Sequence, residues 1–134
     1  MFSKLLILTS VLAASMGGAA FAQSAEGGKE QYMVACAVCH GESAKGDGPF
    51  TAMMNTSVPG LTTLAKDNDG VFPWLDVFMI VDGRTGVRAH GGPMPIWGDR
   101  FSATGRETYG EYGAEVITRG RIAVLVDYIE SVQE

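Results

Sequence analysis

The stretch ACAVCHGESAKGDGP, residues 35–49, holds both cysteines of the chain and one of its two histidines. Cys36 and Cys39 stand three positions apart, His40 follows at once, and the run before them, EGGKEQYMVA, reads as one short helix. Several chemistries use two thiols at this spacing. A structural disulfide between Cys36 and Cys39 is the ordinary fate of thiols in an oxidising compartment. A loop this small, however, removes little chain entropy and staples nothing distant. A thioredoxin-like redox pair calls for a strand before the motif and a βαβ setting around it. A zinc site calls for four ligands, and Cys36, Cys39, His40 and His90 supply them only at unusual spacing.

One chemistry uses the two thiols and the imidazole together. Cys-x-x-Cys-His is the attachment site of c-type haem: each thiol adds to one vinyl group of the porphyrin, and the adjacent imidazole becomes an axial ligand of the iron. Helix geometry suits the spacing, since positions three apart share a face and the next residue turns its ring toward the metal. The motif occurs once, so one covalent haem c per chain is expected.

An iron held by His40 has a sixth position to fill. Met33 is too close to the attachment helix to reach the far side. Met53 and Met54, in PFTAMMNTSVPG, would need a sharp reversal of the chain. Met79 lies in PWLDVFMIVDG, an apolar helix-like run where methionine is expected as core filler. Met94 differs: HGGPMPIWG places it between Pro93 and Pro95, which restrict the backbone on both sides and can hold a thioether rigidly. His90 is expected to be exposed near this loop and is the nearest substitute if Met94 is displaced.

CAVCH followed by GDGP and then PMPIWG resembles the class I c-type cytochromes, small monohaem proteins of the bacterial periplasm. The resemblance spans about 28–132. It implies an all-α cytochrome c fold, a few helices wrapped around one covalently attached haem, with His40 and Met94 as the two iron ligands. It also carries over to Pro49, whose carbonyl would accept the hydrogen bond from the His40 ring and so fix its orientation and basicity. The family's helix contact maps onto Gly28 and Tyr32 before the motif, with Tyr128 as the aromatic partner near the chain's end.

The residues themselves read the same way. No stretch alternates as a set of strands would, and no repeat or second domain stands out. VITRGRIAVLVDYIESVQE sets Ile122, Leu125, Val126 and Ile129 on one helical face, with Thr118 as N-cap and Ile117 stapled to Ile122. Another helix is expected from near Pro73, a good first helical residue, to Asp82 and Gly83. The segment 98–118, GDRFSATGRETYGEYGAEVIT, reads as a long connection between the Met94 loop and the last helix, with Tyr109 and Tyr112 as contact-prone residues. Trp97 is a candidate to donate its indole N–H to a haem propionate, and Arg84 and Arg88 are candidates to pair with one.

The opening run MFSKLLILTSVLAASMGGAAFAQS has a lysine near its start, an apolar body and small residues at Ala20 and Ala22. It reads as a secretory leader, 1–22, cleaved after about Ala22 to leave a monohaem domain at 23–134 in the periplasm. No other segment is apolar enough to give a stable membrane anchor. The formal charge is −5, and cleavage removes one lysine and no acid, so nucleic acid is not an expected partner. The expectation is therefore a periplasmic carrier of single electrons, monomeric or weakly oligomeric. Its redox partner proteins would be a dehydrogenase, a quinol-oxidising complex, or an oxidase or reductase. Two alternatives stay open: a haem protein with an open or labile sixth site, acting as a ligand sensor or enzyme, and a dedicated cytochrome subunit of a larger oxidoreductase.

Overall fold

The computed structural model describes residues 26–85 and 92–134. The expected leader and its expected cleavage point, with the candidates Arg88 and His90, lie outside the described residues. Among the described residues there is no strand, and the chain is helical, as expected. Helix α1 covers 26–35, α2 Ala37–His40, α3 Trp74–Asp82 and α4 Trp97–Ser131, with 3-10 turns at Pro49–Met53 and Lys66–Asn68. None of these helices is long and apolar enough to cross a membrane.

The core forms where α1 crosses the carboxy-terminal part of α4. A Cβ added to Gly28 would collide with the Val124 carbonyl oxygen and stand 2.8 Å from the Tyr128 Cβ, so only glycine lets the helices approach this closely. Tyr32 and Tyr128 then pack ring to ring, with centroids 5.2 Å apart. Tyr32 is fully buried, and its hydroxyl donates to the Gly41 carbonyl at 2.7 Å. Ile122, Leu125, Val126 and Ile129 are all buried on the face read from the sequence. Each such side chain contributes about 1.5–3 kcal/mol by leaving water.

Helix α3 follows Pro73 and ends where Gly83 adopts φ 66°, its N–H bonding back to the Met79 carbonyl. Val77, Phe78 and Val81 are buried. Trp74 stacks on Phe78 and donates its indole N–H to Asp127 at 2.8 Å, tying α3 to α4. Met79 faces outward, 42% exposed, and is not the core filler expected of it. The last residues stitch the segment before α3 in place. Gln133 accepts from the Ala65 N–H and donates to the Leu61 carbonyl, and the Glu134 N–H donates to Thr62.

The largest departure from the sequence reading is 98–118, which is helical. Helix α4 runs on from the Met94 loop and is interrupted once, at Gly110, whose φ 65° and ψ 179° suit glycine alone. Two limbs result, 97–109 and 111–131. They close on each other where a Cβ on Gly105 would stand 3.3 Å from the Ala114 Cα. Thr118 is therefore inside a helix and fully buried, not an N-cap, and its Oγ1 has no hydrogen-bond partner. Ile117 is 37% exposed instead of stapled to Ile122. Tyr109 and Tyr112 flank the break and point to solvent.

Candidate cofactor site

Helix α2 is a single turn set off from α1 at Cys36 and stopped by Gly41 at φ 82°. It delivers Cys36, Cys39 and His40 to the wall of a cavity of about 910 Å³, within the span of small-molecule and cofactor sites. Cys36 and Cys39 are not joined to each other in a disulfide. Burial, with a smaller contribution from Cys39, pushes the Cys36 thiol up to about 12. The other walls are mainly apolar: Val34 and Val38 beside the motif, Leu61 and Leu64, Val77 and Val81 of α3, and Ile129 of α4.

The His40 ring is buried, and its Nδ1 lies 3.0 Å from the carbonyl oxygen of Pro59. With the proton on Nδ1 donated there, Nε2 keeps its lone pair for a metal. The acceptor is Pro59, not Pro49. The reason lies in Gly48, which packs so tightly on the end of α2 that a Cβ would stand 2.5 Å from the Val38 carbonyl oxygen. The chain thus leaves the motif at Pro49, which opens a 3-10 turn at the surface, and returns ten residues later. The return is held because Gly46, at φ 81°, packs against the Val58 carbonyl and the Leu61 N–H donates to the Ala44 carbonyl at 2.7 Å. The signal in the sequence is the Pro-Gly step of SVPG, ten residues beyond Pro49.

Among the methionines of the described residues, Met54 and Met94 line the cavity. Met33 and Met53 do not, and Met53 is 76% exposed. Met94 arrives with Pro93 and Pro95 beside it on the same wall, packed against the core. Trp97 also lines the cavity, tilted against Phe101 at 5.5 Å. Arg84 does not reach it: its guanidinium is bound by the carboxylates of Asp82 and Glu115, which leaves the expected propionate contact without a donor fork to make it. The cation on the cavity wall is Arg100, which sequence reading missed; it follows Trp97 by three positions and lies over its ring at 5.3 Å. Among the described residues no three His, Cys, Asp or Glu side chains gather to hold a metal, as a zinc site would need.

The family model Cytochrome c matches residues 25–133. The chain belongs to the cytochrome c family. Searches among curated proteins and among solved structures give no match. This cytochrome therefore carries covalently attached haem c with its iron and is a haem-based electron-transfer protein. Its residues fit the group. Two thiols three apart, an imidazole whose outer nitrogen is already engaged, and a thioether on a constrained loop converge on one large apolar cavity.

Proposed function

We propose that this cytochrome shuttles single electrons in the periplasm, with His40 and Met94 as the axial ligands of its haem iron. The observation that carries the reading is that both residues line the cavity that holds Cys36 and Cys39. When bound, the haem supplies a one-electron ferric/ferrous couple. Everything else falls to the chain. Pro59 holds the His40 ring through Nδ1. Pro93 and Pro95 restrain the backbone around Met94, so the thioether needs little rearrangement between oxidation states. The apolar walls exclude water and disfavour the more highly charged ferric state, which raises the potential, as a thioether ligand also does. Arg100, with Trp97 beneath it, is the group of this wall suited to a propionate.

The leader at 1–22 supports export, with cleavage after about Ala22, and export supports the oxidising setting in which haem c is carried. The acidic balance of the chain favours a partner of opposite charge over nucleic acid. The partners in this reading are a dehydrogenase, a quinol-oxidising complex, or an oxidase or reductase. They would dock through a small interface, below about 1,200 Å² in total, that permits rapid turnover.

The test is the optical spectrum of the exported protein, oxidised and reduced, beside that of Met94→Ala. The carrier reading expects the weak red band of methionine-ligated ferric haem in the natural protein and its loss in the variant, together with a lowered potential. A high-spin spectrum with ready carbon monoxide binding in the natural protein would instead mean an open sixth site. Purification with a tightly held catalytic chain would make the cytochrome a fixed subunit.

A further inference from the structure

The loop that carries Met94 leaves α3 at Gly83 and enters α4 at Trp97, and its two ends are pinned to each other. A Cβ on Gly83 would stand 3.4 Å from the Ile96 Cα. Beside this contact, Arg84 donates from Nε and Nη2 to the two oxygens of Asp82 at 2.5 and 3.0 Å. From Nη1 and Nη2 it donates to the two oxygens of Glu115 at 2.6 and 3.3 Å. Asp82 closes α3, with its side chain only 9% exposed. Glu115 belongs to the second limb of α4 and also accepts from Arg119 at 2.6 Å. Gly98, in the first turn of α4, lies directly under the pair, where a Cβ would collide with the Asp82 carboxylate and the Arg84 guanidinium.

One planar guanidinium thus joins the end of α3, the start of the loop and both limbs of α4. Two carboxylates and two guanidiniums balance in charge, and both ion pairs of Arg84 are two-pronged, which fixes geometry as well as distance. The partly withdrawn position of Asp82 means that breaking the clamp strands a buried carboxylate.

We propose that the Asp82–Arg84–Glu115 clamp is a positioning device for the axial methionine. By closing the base of the loop it limits how often Met94 leaves the iron. The inference rests on the reading of Met94 as the sixth ligand. A loop with tethered ends samples fewer arrangements than one with free ends, and Pro93 and Pro95 restrict the backbone beside Met94 itself.

The test is the rate at which added imidazole replaces the methionine in the ferric holoprotein, followed by loss of the red band. Arg84→Gln and Glu115→Gln are expected to speed replacement at least tenfold. Gly98→Ala should do the same with every charge in place, because its methyl group wedges the pair apart. Arg84→Lys, which keeps charge without the planar fork, should recover only part of the natural rate. Tyr32→Phe, far from the clamp in its contacts, controls for general loss of stability, measured by guanidinium unfolding of each variant. Clamp variants that replace methionine at the natural rate, or only as fast as their unfolding midpoints predict from Tyr32→Phe, overturn the proposal. If Arg84→Gln does not fold, Glu115→Gln and Gly98→Ala decide it. A natural protein without the red band, or a band that survives Met94→Ala, overturns the ligand reading and the clamp with it. A band lost in Met94→Ala with natural rates in the clamp variants overturns the clamp alone.

Discussion

The Nδ1 of His40 and the carbonyl oxygen of Pro59 face each other at 3.0 Å, and in the proposed ligation this contact leaves Nε2 as the ring nitrogen for iron. A carbonyl acceptor on Nδ1 makes the imidazole a stronger donor and favours the ferric state. Pro59→Gly keeps a carbonyl but releases the fixed φ that aims it. The expected result is a midpoint potential raised by less than about 59 mV, which is under tenfold in a one-electron equilibrium. Protein-film voltammetry measures it, and a potential that falls would mean that Pro59 does not tune the ring.

Gly28 makes a prediction about the fold. The atom its missing Cβ would meet is the Val124 backbone oxygen, which cannot swing aside as a side chain can. Gly28→Ala must therefore part α1 from α4 and loosen the Tyr32–Tyr128 contact. Overpacking of this kind costs about 1–3 kcal/mol. Thermal unfolding followed by circular dichroism should show a clearly lowered midpoint, and an unchanged one would mean that the helix crossing tolerates more room than the geometry gives it.

The parts of this cytochrome that could be read from sequence are those whose signal is local. The place of Cys36, Cys39 and His40 on the cavity wall is announced by their spacing, and that of Met94 by the prolines around it. Ile122, Leu125, Val126 and Ile129 announce a helix by period. The parts that could not be read depend on what packs where. In 98–118 the glycines looked like loop punctuation. Gly98 is there because Asp82 and Arg84 lie over it, and Gly105 because Ala114 crosses it; only Gly110 serves a turn. The choice of Pro59 over Pro49 is likewise settled by Gly48 and Gly46 pressing on backbone elsewhere, which no spacing reveals. Arg84 and Arg100 are both arginines near the loop, and the carboxylates of Asp82 and of Glu115, the latter distant in sequence, together hold Arg84 away from the cavity.

Thr118 carries a prediction of opposite sign to most core substitutions. Its side chain is buried inside α4 and its Oγ1 has no hydrogen-bond partner. A buried hydroxyl left unpaired costs about 1–3 kcal/mol relative to one that is satisfied, and valine keeps the branched shape without it. Thr118→Val should therefore hold or raise the unfolding free energy, by up to about 1 kcal/mol. A guanidinium titration that shows clear destabilisation would reveal a partner for the hydroxyl, such as an ordered water.

The clamp also predicts how stability changes with acid. Hydrogen bonds from Arg84, then from Arg119, hold the Glu115 carboxyl below its ordinary 4.5. The same carboxylates hold Arg84 charged well past its usual range, the bond to Asp82 contributing most. The arginine therefore stays protonated throughout, and the acid limb belongs to the carboxylate. A carboxyl with a depressed folded value binds fewer protons in the folded state than in the unfolded one. Its contribution is thus complete above about pH 4.5 and is lost as pH falls through the lower folded value. Because the Glu115 side chain is 36% exposed, solvent screens the pair and the whole effect should stay under about 1 kcal/mol. The check is to compare the unfolding free energy of the natural protein with that of Glu115→Gln as pH is lowered. The gap between them should be widest near neutral pH, narrow below about pH 4.5 and shrink further with added salt. A gap that stays constant across the acid range would mean that Glu115 acts by its shape and not by its charge.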